Sequence, residues 1–145
     1  MIYTETGKYA IRALLYLAAT PGGHGTATAA EIAAAEDIPA FYLGKVLNDL
    51  SQTGILTSVR GRGGGYRLSR PPSQVTALEV LEAAENLSQR VEACVLGLDQ
   101  CSDETPCALH DYWSGFRDQA LHALESLTLE VLLEELRWKR QRGTA

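Results

Sequence analysis

Cysteine is scarce in this chain of 145 residues, and the stretch before residue 94 has none. All three cysteines fall between residues 94 and 107. An odd number crowded into one stretch points away from a disulfide framework. It suits a cytoplasm, where clustered thiols serve metal or redox chemistry. Long apolar runs are also missing, and no segment approaches the ~18 residues of a membrane span. The opening residues lack the basic-then-apolar-then-small pattern of a secretory signal. Neither G-x-G-x-x-G ahead of a helix nor G-x-x-x-x-G-K-[ST] occurs. No nucleophile–base constellation stands out, so an enzyme is not expected.

An excess of positive charge is missing as well, since the net charge is −5. The charge is unevenly placed, however. Residues 1–75 hold seven Lys and Arg against five acids, a net +2. Residues 76–145 hold six against thirteen, a net −7. A mildly basic front and an acidic back suit a protein that meets a polyanion with one end. The 46% of hydrophobic residues suffices for a core.

Thr4 or Thr6 can cap a first helix, with Tyr9, Ala10, Ala13, Leu14, Leu17 and Ala18 at helical spacing. Thr28-x-x-Glu31 is a capping box opening a short helix to about Glu36. Pro39 then stands at the first position of a third helix, whose core face is Leu43, Val46, Leu47 and Leu50. Two helices joined at Asp37 make a helix-turn-helix, whose second helix usually enters the major groove. The strand Ile55–Arg60, the tip Gly61–Gly65 and the strand Tyr66–Leu68 form a hairpin beside it, a wing. The expected DNA contacts are Phe41, Tyr42 and Lys45 on the third helix, with Arg60, Arg62, Gly63 and Gly64 on the wing. Bare glycines admit a phosphate, and arginines suit the negative minor groove.

Thr76-x-x-Glu79 opens another helix through Val80, Leu81 and Ala84. A loop over about 88–110 follows. It carries Cys94, Cys101, Cys107 and His110, separated by six, five and two residues. Thr105-Pro106 suggests that a long helix starts there. Cys107 would then lie in its first turn, where the dipole favours a thiolate, and His110 on the same face. That helix carries one apolar stripe of Leu109, Trp113, Phe116, Ala120, Leu121 and Leu124, as a pairing helix should. Ser126 or Thr128 caps a last helix, and a basic end from Arg137 to Ala145 should fray. The residues alone leave the loop open among zinc, an iron–sulfur cluster and reactive thiols. Structural zinc sites usually contain a C-x2-C pair, which is missing here.

Ser58-Val-Arg-Gly-Arg-Gly-Gly-Gly-Tyr-Arg-Leu68, preceded by Tyr42-Leu43 and Leu50-x-x-x-Gly54-Ile55-Leu56, closely resembles the bacterial regulators IscR, NsrR and RirA. So does the opening, Gly7-Lys-Tyr-Ala-Ile-Arg-Ala-Leu14. The resemblance covers about residues 1–135. It implies a mainly α fold with a small β-hairpin: a winged helix-turn-helix over residues 1–75, then a sensor loop and a long dimerisation helix within 76–145. It also implies a homodimer on a palindromic operator in double-stranded DNA, acting as a repressor. By resemblance Cys94, Cys101 and Cys107 hold an iron–sulfur cluster, two-iron favoured over four-iron, and His110 matches a fourth ligand. In NsrR-like members an acid near the first helix takes that place. The matching residue here is Lys8, whose ammonium has no lone pair to give. Many relatives carry proline where this chain has Arg62, which adds phosphate affinity. The alternative is the same dimer sensing through free thiols, zinc or a small ligand, with no cluster.

Overall fold

The computed structural model describes residues 2–143. Its elements are α1 (Glu5–Ala18), α2 (Ala29–Glu36), α3 (Ala40–Gln52), β1 (Leu56–Val59), β2 (Gly65–Leu68), α4 (Ala77–Glu85), α5 (Leu87–Val91), α6 (His110–Ser126) and α7 (Leu129–Arg142). This is a mainly α protein with a two-stranded antiparallel hairpin, arranged as a winged helix-turn-helix.

Both capping boxes form as the sequence predicts. Thr28 accepts from the Glu31 N–H at 3.2 Å, and Glu31 accepts from the Thr28 N–H at 2.7 Å. Thr76 and Glu79 repeat the exchange at 3.2 and 2.9 Å. Between α2 and α3 the chain turns at Asp37, held left-handed at φ 51°. Pro39 is the N-cap of α3, one place earlier than the sequence suggests.

Thr4 caps α1 in position only, since its side chain makes no bond to that helix. Its N–H instead donates to both oxygens of Glu85, at 3.1 and 3.2 Å. Gly7 N–H donates to the same carboxylate at 3.1 Å. Glu85, at the end of α4, thus caps α1 from outside, where negative charge also complements the helix dipole. Its side chain is only 6% exposed and takes Arg90 Nη1 at 2.6 Å. Glu85→Ala should cost about 2 kcal/mol, roughly 6 °C in Tm, because it removes the acceptor of the Thr4 and Gly7 amides, the latter buried, and the partner of Arg90. Thermal unfolding followed by circular dichroism measures it.

The core gathers Leu14, Leu17, Ile32, Leu43, Leu47 and Leu50, all fully buried. Val75, Val80, Leu129 and Leu133 join the same cluster, so α4 and α7 pack on the helix-turn-helix. A smaller cluster of Leu81, Leu87 and Val91 receives Trp113, Leu121 and Leu124 from α6. The wing pairs Leu56 with Leu68 and Val59 with Gly65. Ala27 adds a third rung through Tyr66, at 2.7 and 3.0 Å. That rung explains Gly65: its φ is +135°, and a Cβ there would lie 2.3 Å from the Ala27 carbonyl oxygen.

Two expectations need correction. The long helix begins at His110, not at Thr105. Ser102 and Thr105 instead close a turn on each other, their hydroxyls 3.1 Å apart. The basic end is helical through Arg142, whose guanidinium lies 4.6 Å from the centre of the Trp138 ring. Residues 144 and 145 lie outside the described residues.

Candidate DNA-reading surface and candidate metal centre

The start of α3 and the tip of the wing carry every residue expected to read DNA. Phe41, at the second position of α3, is 96% exposed. Lys45, Arg60, Arg62 and Gly63 are exposed as well. Of the seven front cations, Lys8 is paired with Glu5, Arg12 with Glu36 and Arg70 with Glu79. Lys45, Arg60, Arg62 and Arg67 make no ion pair among the described residues. Within residues 1–75 the unpaired positive charge therefore lies on α3 and the wing, which is what phosphate contact requires. Gly64 differs from its neighbours. It is half-buried, and its N–H closes the tip by donating to Gly61 O at 3.0 Å.

Tyr42 is partly withdrawn from that surface. Its ring meets Tyr9 edge-on at 5.6 Å, and its hydroxyl is hydrogen-bonded to Thr6. The phenol thus ties the front of α3 to the start of α1.

The cysteine loop is folded, for reasons the sequence does not display. Residues 92–101 form a small hairpin: Cys101 N–H donates to Glu92 O at 3.1 Å, and Cys94 N–H to Asp99 O at 3.3 Å. Gly97 turns its tip at φ +72°. The antiparallel bridge Ala93–Gln100 sets Cys94 opposite Asp99, toward the tip, and Cys101 opposite Glu92, at the open end. Cys107 precedes α6 by three residues rather than lying within it. Its carbonyl accepts the His110 N–H at 3.0 Å, so a turn, not a helical face, keeps the two together.

All four side chains line one pocket of about 260 Å³. They meet in two pairs. Cys94 Sγ and Cys107 Sγ are 4.0 Å apart. Cys101 Sγ and His110 Nδ1 are 3.3 Å apart. Two donors on one tetrahedral metal, with bonds of about 2.0–2.3 Å, lie roughly 3.5–3.8 Å apart. Each pair is within about half an ångström of that spacing. Three donors do not converge on a single ion position among the described residues. The donor set fits a group that takes two ligands at each of two metals better than a lone ion.

His110 is buried, 7% exposed, and its Nε2 is 2.8 Å from Asp103 Oδ1. A proton on Nε2 donated to Asp103 leaves the Nδ1 lone pair facing Cys101. Asp103 is the residue that the sequence reading missed. No periodicity marks a loop carboxylate as a histidine partner. The Cys94 thiol is held below its ordinary range. The Leu96 N–H is the largest cause, burial opposes it, and the Leu98 N–H and Cys107 add to the lowering.

The single apolar stripe expected on α6 is divided. Trp113, Leu121 and Leu124 pack inward on α4 and α5. Trp113 Nε1 donates to Val91 O at 3.2 Å. Leu109, Tyr112 and Phe116 face out, at 43%, 81% and 55% exposure.

The family model Rrf2, described as iron-dependent transcriptional regulator, matches residues 3–135. The chain belongs to the Rrf2 family. It is 32% identical over 133 residues to the HTH-type transcriptional regulator IscR of Photorhabdus laumondii, covering 92% of this chain and 79% of that one. Its fold is similar to CymR of B. subtilis, titled the global cysteine regulator, with TM-score 0.75, 26% identity and coverage of 91% and 95%. The oxidized form of Staphylococcus aureus CymR is similar too, with TM-score 0.72, 25% identity and coverage of 92% and 97%. This Rrf2 protein is thus a helix-turn-helix transcriptional regulator. None of its described helices is long and apolar enough to cross a membrane.

Proposed function

We propose that this Rrf2 protein is a homodimeric regulator whose affinity for a palindromic operator is set by an iron–sulfur cluster held by Cys94, Cys101, Cys107 and His110. The observation that carries the sensing is the convergence of these four side chains, two by two, on one pocket. Two ligand pairs favour a two-iron cluster over a four-iron one. When bound, the cluster supplies coordinate bonds, sensitive to iron supply and oxidants, that join the loop's two parts.

The chain's own residues convert loop order into DNA affinity. Cys94 and Cys101 hold the hairpin 92–101, and Cys107 and His110 hold the approach to α6. Asp103 orients the imidazole from outside the pocket, as carboxylates commonly do for ligating histidines. Arg90, four residues before Cys94, grips Glu85, which caps α1 at Thr4 and Gly7. Thr6 on that turn holds Tyr42 of the recognition helix. A change in loop order thereby reaches the reading head through short polar contacts. Two copies pair through the outward face of α6, where Leu109, Tyr112 and Phe116 supply apolar area. The pairing fixes the separation of the two recognition helices, near ~34 Å or a multiple for major-groove reading.

Protein purified without oxygen, or reconstituted with iron and sulfide, should be coloured, with about two irons per chain. Colourless protein with all three thiols intact overturns the reading. A second reading keeps the same dimer but senses through free thiols, zinc or a small ligand. The likeness to the CymR structures favours it. Zinc at one per chain, or regulation by thiol reagents in iron-free protein, would establish that reading instead.

A further inference from the structure

The four side chains of the pocket are not equivalent once no metal holds them. Cys94 and Cys107 have only each other's sulfur at hand, 4.0 Å away. Cys101 is turned to the His110 ring, which Asp103 holds from its other side. Forming a disulfide needs the sulfurs to close to about 2.05 Å, a movement of roughly 2 Å. Cys107 lies in an irregular segment, where its carbonyl accepts the His110 N–H, and it is held in neither helix nor strand, so it can move. Joining Cys101 to either thiol would first break the imidazole contact.

We propose that the metal-free protein is a two-electron thiol switch: hydrogen peroxide, or another hydroperoxide, closes a disulfide between Cys94 and Cys107 and leaves Cys101 a free thiol. Cys107, the more exposed of the pair, reacts first. Its thiolate attacks the peroxide, the O–O bond breaks, hydroxide leaves, and a sulfenic acid remains. The Cys94 thiolate then attacks that sulfur and displaces the second hydroxide. Two thiols are oxidised, one peroxide is reduced, and the two thiol protons end in two waters. The disulfide removes one ligand from each end of the loop, so the oxidised chain cannot take a cluster until a dithiol reduces it. The inference uses the same loop as the sensor reading but does not depend on it. A chain that never holds a cluster would still close this bond.

The loop's sequence makes the test clean. Cleavage after Arg90 and before Asp99, Asp103 and Asp111 places the three cysteines on three separate fragments. Metal-free full-length protein is treated with one equivalent of hydrogen peroxide, alkylated, cleaved and weighed. The expected result is the Cys94 and Cys107 fragments joined, with Cys101 alkylated. The Cys101→Ser variant should close the disulfide at a rate within about threefold of the native chain, whereas Cys107→Ser should not form one. Iron–sulfur reconstitution of oxidised native protein should fail until dithiothreitol is added. Cys101 found in the disulfide, or all three cysteines alkylated after peroxide, overturns the proposal. Failure of the sensor reading shows separately, as colourless anaerobic protein.

Discussion

Alanine at Lys45, Arg60 and Arg62 together is expected to weaken binding to duplex DNA about a thousandfold near 0.15 M salt. The three cations make no ion pair within the described residues, so DNA does not have to break an internal contact to recruit them. A charged contact contributes on the order of 1.4 kcal/mol, about tenfold each. The slope of log affinity against log salt should also become shallower by about 3, since three phosphates are no longer neutralised. The control is Arg12→Ala. Arg12 donates to the Glu36 carbonyl and carboxylate, so its loss should cost stability and leave the salt slope alone. Fluorescence anisotropy over a salt series reads both. An unchanged slope in the triple variant would remove the wing and recognition helix from the DNA interface.

Cys101→Ser is expected to abolish the visible absorption of anaerobically reconstituted protein, whereas Asp103→Asn should preserve its shape. Cys101 supplies the only sulfur of its pair, and a serine hydroxyl is a poor soft ligand. Asp103 is fully exposed and touches only the far nitrogen of His110. Its loss frees the ring to turn, which should lower cluster affinity by about 10- to 100-fold without changing the ligand set. Iron and sulfide per chain, titrated against a chelator, separate the two variants. Equal retention in both would place the second metal position elsewhere.

Much of the reading half was legible because its signals are local. Thr28 and Glu31, or Thr76 and Glu79, need only each other to declare a helix start. The wing announces itself through the glycines between Arg60 and Tyr66. The gathering of three cysteines and a histidine in the loop is legible in the sequence, but the loop's shape is not. Thr105-Pro106 has the form of a helix start, yet Ser102 and Thr105 bond to each other and the helix waits until His110. Five residues of α5, Leu87–Val91, are too few to show a period. Nothing local in the sequence marks Glu85 as a cap. Its role as the cap of α1 depends on Thr4, which is 81 residues away in sequence. The stripe on α6 was seen, but periodicity alone does not say that Trp113 turns inward while Tyr112 and Phe116 turn out.

The most direct measurement is operator affinity without oxygen, comparing cluster-loaded protein with the variant carrying serine at Cys94, Cys101 and Cys107. The DNA is a duplex selected from a random pool by the loaded protein. A coupling of about 1–3 kcal/mol, a difference of roughly 5- to 150-fold, is predicted from the proposal that loop order sets the distance between two recognition helices. Superimposable binding curves would contradict the account.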